Sequence, residues 1–157
     1  RNKHELWRHK TFLSKTRGIA RSLIGKTPEE RAKMENELLV RLKKLGVLPE
    51  TAVLDNVLDL NIEDILERRL QTIVFRKNLS KTIYQARQLI THGHIIIGNR
   101  RVTVPSYLVS KEEEAQIGYA PQSALANHAH PLRQAMATVA KPLEIEQPKE
   151  RNVRRRK

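Results

Sequence analysis

Apolar residues recur at three- and four-residue intervals from residue 2 to about residue 92, then alternate briefly, and finally give way to a Pro-broken tail. Residues 2–24 predict an amphipathic helix burying Leu6, Phe12, Leu13, Ile19, Ala20, Leu23 and Ile24. A second helix follows, with Thr27 as N-cap, Pro28 at its first position and Glu30 completing a capping box. Met34, Leu38, Leu42 and Leu45 face its core, and Gly46 stops it. Residues 47–60 are apolar without a clear period, with a helical turn around 53–58. The third helix starts after Asn61, whose side chain caps it, with Asp64 in the first turn and Ile62, Leu66, Leu70 and Ile73 on one stripe. On one continuous helix Arg69 and Arg76 would stand about 20° apart beside that stripe. The fourth, 81–92, is capped by Ser80, stopped by Gly93 and buries Ile83, Ala86, Leu89 and Ile90. His94–Ile97 and Arg101–Val104 predict a β-hairpin joined by Gly98-Asn99-Arg100 and ended by Pro105, with a third short strand near 116–119. After Ala120, Pro121, Pro131, Pro142 and Pro148 interrupt any pattern, residues 132–140 predict a short helix, and Arg151–Lys157 form a cationic tail. The fold class is therefore α+β: a helical N-terminal region, then two packed helices against a short antiparallel sheet, then an extended basic tail.

Charge sharpens this picture. The 157 residues carry 30 Lys+Arg against 17 Asp+Glu, a net +13, and the excess comes in blocks. Residues 1–26 hold about +7, 27–65 about −4, 66–101 about +7, 102–148 about −2 and 149–157 about +5. An evenly basic surface would not alternate; discrete blocks point to faces that dock on a polyanion. No apolar run approaches the ~20 residues of a bilayer span, so no membrane partner is expected. Arg1-Asn2-Lys3-His4 shows neither an initiator Met nor a signal-peptide core, and residues can precede it. The lack of cysteine fits a reducing cytoplasm and leaves no thiolate metal site. One Trp, three Tyr and two Phe are few for a platform that stacks a run of single-stranded bases.

The candidate chemistry concentrates in 66–101, where eight Lys/Arg meet one acid, Glu67. Lys81, Gln85, Gln88 and His92 lie at i, i+4, i+7 and i+11, a polar row containing no Glu, with Arg69, Arg76, Lys77 and Arg87 around it. Lys and Arg neutralise phosphates, while Gln and His reach 2′-hydroxyls and base edges. Arg100 and Arg101 add a basic hairpin tip, and Arg8, Lys10, Lys15, Arg17 and Arg21 a second basic face on the first helix. Gly25-Lys26-Thr27 lacks the upstream glycine and the strand of a P-loop. His92-x-His94 and His128-x-His130 lack the further ligands of a metal site. Asn78-Leu79-Ser80 matches a glycosylation sequon but reads better as the approach to a helix cap. No nucleophile–base arrangement is present, so neither catalysis nor a cofactor is expected.

Glu67-Arg68-Arg69-Leu70-Gln71-Thr72, Ser80-Lys81, Ala86-Arg87-Gln88-Leu89-Ile90-Thr91-His92-Gly93-His94-Ile95, Val102 and Pro105-Ser106-Tyr107-Leu108-Val109 closely resemble the S-four family of small ribosomal subunit proteins, in its archaeal and eukaryotic branch. The likeness extends to Glu5-Leu6-Trp7-Arg8, Leu45-Gly46-Val47-Leu48, Leu54-Asp55 and Ile62-Glu63-Asp64, covering roughly 3–120. It implies a helical rRNA-binding region at 1–65, an S-four RNA-binding domain at 66–120 and an extended segment at 121–157. It further implies a primary binder of small-subunit rRNA that nucleates assembly at a multi-helix junction. Such a protein would lie near where messenger RNA enters, beside proteins of the S-five and S-three families, as a single copy in the cytoplasmic ribosome. Residue by residue, the family's RNA-facing positions fall on Arg68, Arg69, Ser80, Lys81, Arg87, Gln88 and His92. The chain departs from the family in three respects. Gly98-Asn99 stands where many relatives show Asn-Gly, no cysteine zinc module is present, and nothing transfers from about residue 122 onward. Two rivals remain: a free-standing S-four-domain factor acting on ribosomal particles, and an RNA-modifying enzyme. The first does not account for the upstream helical block, and the second needs a catalytic domain this chain has no room for.

Overall fold

The computed structural model describes residues 2–127 and 129–134. The expected helix over 132–140 runs beyond the described residues, and the tail 151–157 lies outside them. α1 runs Lys3–Ile24, started by Asn2, whose side chain accepts from the His4 N–H at 3.1 Å. Its buried stripe is His9, Leu13, Thr16, Ala20 and Leu23, spaced 4-3-4-3. Leu6, Ile19 and Ile24, expected inside, are exposed. Small Ala20 and self-satisfied Thr16, whose hydroxyl donates to Phe12 O at 2.9 Å, let neighbouring helices approach closely. Burial here follows geometric fit rather than hydropathy rank.

α2 (Pro28–Lys44) begins at Thr27 with Pro28 in place, but Thr27 makes no side-chain cap bond, so the expected capping box is absent. Leu39 and Leu42 are buried, Leu38 and Leu45 partly so, and Met34 is exposed. The helix stops at Gly46, after which the Val47 N–H reaches back to Leu42 O at 3.2 Å. α3 (Leu54–Asp59) occupies the turn expected around 53–58. α4 (Ile62–Glu67) is capped in the reverse sense from expectation, the Asp64 carboxylate accepting from the Asn61 N–H at 2.7 Å. These helices close one apolar core around Leu23, Leu42, Leu54, Val57 and Ile65.

The expected third helix is two helices. The chain breaks at Arg68-Arg69, with Arg69 extended (φ −71°, ψ 139°), and resumes as α5 (Leu70–Arg76). At the break the Leu70 N–H donates to Tyr107 O at 2.8 Å and the Val109 N–H to Arg68 O at 2.9 Å. A strand-like pairing of 68–70 with 107–109 thus interrupts the helix at two residues. The break delivers Ile65 to the first core and Leu70 to a second. α5 ends where Asn78 takes a positive φ of 56° and the Leu79 N–H bonds Val74 O. α6 spans Ile83–Thr91, and its cap is Thr82, which accepts from the Gln85 N–H at 3.1 Å, not Ser80. Ala86, Leu89 and Ile90 are buried as expected, but Ile83 is exposed. A helical side chain leans over the turn preceding it, and Ile83, first in the helix, has no such turn beneath it.

Gly93 ends α6 with φ +75°, a conformation that L side chains rarely adopt, and the Arg101 guanidinium lies over the space a Cβ would take. β1 (Ile95–Ile97) lies between β2 (Arg100–Arg101) and β3 (Ile117–Tyr119), antiparallel to both. The hairpin turn has two residues: Ile97 pairs with Arg100, and Gly98 at the first central position has positive φ while Asn99 does not, the type II′ pattern. β2 is shorter than expected because the chain leaves the sheet after Arg101 to reach its pairing with Arg69 at Leu108. The short α7 (Lys111–Ala115) precedes β3. α5, α6 and the sheet enclose the second core, with Leu70, Val74, Ile90, Ile95 and Val109 at its centre.

Leu23→Ala is expected to cost about 2–5 kcal/mol of unfolding free energy. Ile19→Ala and Ile24→Ala should each stay within about 0.5 kcal/mol. Urea denaturation of the three variants measures this, and a large loss at Ile19 or Ile24 would contradict the observed face of α1.

Candidate nucleic-acid interface

The expected basic residues fall into two sets. One set holds the fold together. Arg68 donates from Nη1 to Glu114 Oε2 at 2.8 Å and from Nη2 to Val109 O at 3.3 Å. Its neighbour Arg69 points the other way, Nη2 lying 2.7 Å from Glu5 Oε1 on α1. All four side chains of these pairs are partly buried. Arg17 donates to Leu60 O at 2.5 Å, and Lys77 to Glu114 O. Ser80 is buried, and its hydroxyl has no hydrogen-bond partner among the described residues. Arg101 donates to His92 O at 2.9 Å, placing a cation at the negative end of α6. Arg76 pairs with Glu67 at 2.5 and 3.1 Å, exposed on both sides, which leaves the ion pair open to exchange. The expected alignment of Arg69 with Arg76 is lost with the helix break.

The other set is open. Lys81, Gln88 and His92 are exposed, and Gln85 and Arg87 partly so. They occupy the outer side of α6, opposite Ala86, Leu89 and Ile90. Lys81 precedes the helix; its backbone N–H donates to Gln85 Oε1 at 2.7 Å, tying the row's first two members together. None of these side chains meets a carboxylate among the described residues. Arg100 at the turn lies 5.6 Å over the Tyr107 ring and donates to its hydroxyl at 3.2 Å. That hydroxyl in turn donates to Glu113, and the bond raises the Tyr107 pKa. Glu113 is held below the usual carboxylate range first by the Ser110 N–H it accepts, closing the α7 capping box.

On α1 the open cations form a second face. Lys10 and Arg21 are open on one edge of the helix, with Ser14 and the carbonyl-bonded Arg17 between them, facing the start of α4 across a groove of about 680 Å³ whose far wall is Asn61, Ile62 and Glu63. Arg8 and Lys15 are exposed elsewhere on the same helix. Three exposed aromatics escaped the expected set: Trp7, edge-on to His4 with ring centroids 5.3 Å apart, Phe75 on α5, and Tyr84 on α6. Tyr84 was legible in principle, because it falls one residue outside the polar row on a helix whose buried stripe was already assigned. Among the described residues no group of His, Asp or Glu could hold a metal ion, and no helix is long and apolar enough to cross a membrane.

The S4 domain family matches residues 68–114, the stretch that begins at the helix break and ends at α7. The small ribosomal subunit protein uS4 of Hyperthermus butylicus is 57% identical over 123 residues, covering 78% of this chain and 70% of that protein. The uS4 of Ignicoccus hospitalis is 54% identical over 123 residues, covering 78% and 74%. The chain belongs to the uS4 family of small ribosomal subunit proteins. In this uS4-family chain the S4 domain match takes in most of the second apolar core and the outer face of α6, while the likeness to the relatives, at 123 residues, is much longer than that match.

Removing Arg69 strands the partly buried Glu5 carboxylate, and removing Arg68 takes away the guanidinium that bridges Glu114 and the Val109 carbonyl. Each Arg→Ala change is expected to lower stability by roughly 1–3 kcal/mol. Arg76→Ala should leave the urea midpoint unmoved within error, since its pair is exposed. A similar loss for all three would contradict the division between structural and open arginines.

His9 gives a pH dependence. Burial pushes its imidazole below the ordinary 6.5, overcoming the nearby Glu5 carboxylate, which raises it, and aided by Arg69 and Arg8. The unfolded chain therefore takes up a proton at His9 that the folded chain resists. The resulting stability is present above 6.5 and is lost as pH falls through that value toward the lowered folded one. Urea midpoints should drop between about pH 7.5 and about pH 5.5 in the wild-type chain, and His9→Gln should shrink the drop. An equal drop in both would show that His9 is not its source.

Proposed function

We propose that this chain is a structural, non-catalytic constituent of the small ribosomal subunit that binds small-subunit rRNA, with the outer face of α6 as its principal contact. The single observation that carries this reading is the row Lys81, Gln85, Gln88 and His92 with Arg87, open to solvent and without a carboxylate among the described residues. A merely solvated helix face carries both signs. Membership in the uS4 family and the net charge of +13 support the same conclusion. Lys81 and Arg87 would neutralise phosphates, and Gln85, Gln88 and His92 would hydrogen-bond 2′-hydroxyls, which adds RNA-over-DNA selectivity without adding charge.

The basic edge of α1, with Arg8, Lys10, Lys15, Arg17 and Arg21, supplies a second contact. Residues 1–65 and 66–120 then act as two lobes gripping a multi-helix junction, and the basic residues of 121–157 add positive charge for the RNA. Arg100 and Arg101 sit at the rim of the first contact, and Arg68, Arg69, Arg76, Lys77 and Ser80 position it. Binding of that kind would nucleate assembly. It fits a single copy of the chain in the cytoplasmic ribosome, near where messenger RNA enters and beside proteins of the uS5 and uS3 families, needing no cofactor.

Titration of small-subunit rRNA with the full chain across a salt series tests this. Lys81→Ala and Arg87→Ala are each expected to weaken binding and to lower the slope of log K against log salt by roughly one. Unchanged slopes for both would remove α6 from the interface.

A further inference from the structure

Tyr84 is the most exposed large hydrophobic side chain among the described residues, at 80%. It belongs to neither apolar core, although it sits in the first turn of the helix that supplies three residues to one of them. On α6, Tyr84, Gln88 and Thr91 fall within about 60° of one another, centred opposite the buried Ala86, Leu89 and Ile90. The ring therefore occupies the middle of the polar face and not its margin. Beside it opens a shallow cleft of about 290 Å³, lined by Ile83, Tyr84, Gln71, Arg69 and Arg87, with no carboxylate in the lining. Gln71 is fixed there, its amide donating to Ile83 O at 2.9 Å, and Arg69 is held by Glu5. The cleft thus has apolar walls, one aromatic ring standing clear of the surface, and a partly buried Arg87 in its lining that meets no carboxylate among the described residues.

We propose that Tyr84 is a stacking platform for one unpaired RNA base, with Arg87 taking the adjoining phosphate. The inference rests on the RNA-binding reading and narrows it: the preferred RNA has a base splayed out of a helix, as at a junction or bulge, and is not a continuous duplex. A flat ring on an exposed aromatic accommodates any base through its π-face, and the flanking guanidinium favours an anionic neighbour over a neutral one. A protein partner fits less well, because Ile83 and Tyr84 alone fall far short of the ~800 Å² per side of a stable interface. A scarcity of aromatics argues against a platform for a run of bases; it is compatible with a site for one.

The test titrates full-length small-subunit rRNA with the full chain carrying Tyr84→Ala, Tyr84→Leu, Tyr84→Phe or Tyr84→Trp, each at several salt concentrations. Tyr84→Ala and Tyr84→Leu are expected to weaken binding roughly tenfold with the salt slope unchanged. Tyr84→Phe and Tyr84→Trp should stay within about threefold of the wild type, since both keep a π-face. Thermal midpoints of the four variants should match the wild type, because the side chain supports no core. Tyr84→Leu binding as tightly as the wild type would overturn stacking in favour of simple apolar cover. Tyr84→Phe losing as much as Tyr84→Ala would overturn it in favour of a hydroxyl contact. If wild-type chain and all variants bind alike, the stacking site is wrong and the RNA reading stands. If the wild-type chain does not bind this RNA, the RNA reading fails and takes the proposal with it.

Discussion

Two consecutive guanidiniums, Arg68 and Arg69, hold the rest of the architecture in place. They stand at a break in the chain and reach in opposite directions, one to Glu114 on α7 and one to Glu5 on α1. Partly desolvated charges tolerate little misplacement, because moving either partner leaves the other short of both water and ion pair. Arg69 thereby ties the first turn of α1 to the start of α5, and Arg68 ties the end of α4 to α7. The strand-like pairing of 68–70 with 107–109 satisfies the backbone groups that an uninterrupted helix would have satisfied itself. α5 and α6 are consequently fixed relative to the helical region, and α6 presents one side to the core and the other to solvent.

Arginine suits this work better than lysine. A planar fork can hold a carboxylate with one nitrogen and a carbonyl with another, as Arg68 does, whereas an ammonium acts as a point charge. The chain's positive charge therefore divides by role as well as by segment. Arg17, Arg68, Arg69 and Arg101 bond carbonyls or carboxylates of the fold. Lys81, Arg87, Lys10 and Arg21 remain directed outward without a carboxylate among the described residues. The structural arginines lie next to the open cations and add to the local potential even where they touch no ligand.

The α6 stripe of Ala86, Leu89 and Ile90, the existence of α2 with Leu42 inside it, the glycine stops at Gly46 and Gly93, the hairpin and the third strand were legible from the chain alone, because each rests on spacing or on a residue with a backbone preference of its own. The break at 68–69 was not. Residues 62–76 contain no Gly or Pro and keep helical spacing on both sides, so nothing local distinguishes one helix from two. What decides it is a partner segment about 40 residues later in the chain, around Tyr107–Val109. The inner face of α1 was read only in part: Leu13, Ala20 and Leu23 are buried as expected, whereas His9 and Thr16 were passed over because hydropathy ranks them as surface residues. Among the candidate site residues, periodicity placed the α6 row on one open side of the helix. Charge counting, however, could not tell an arginine that faces solvent from one that bonds a carbonyl, and it passed over Tyr84 because a single tyrosine carries no charge signal.

The central claim is that the open cations of α6 and α1, and not the acidic head of α2, face RNA. Ultraviolet crosslinking of the full chain bound to small-subunit rRNA, followed by peptide mass spectrometry, tests it most directly. The account predicts crosslinks within 81–92 and along 8–21, and none within 29–37. Crosslinks gathered on α2, with α6 bare, would contradict it.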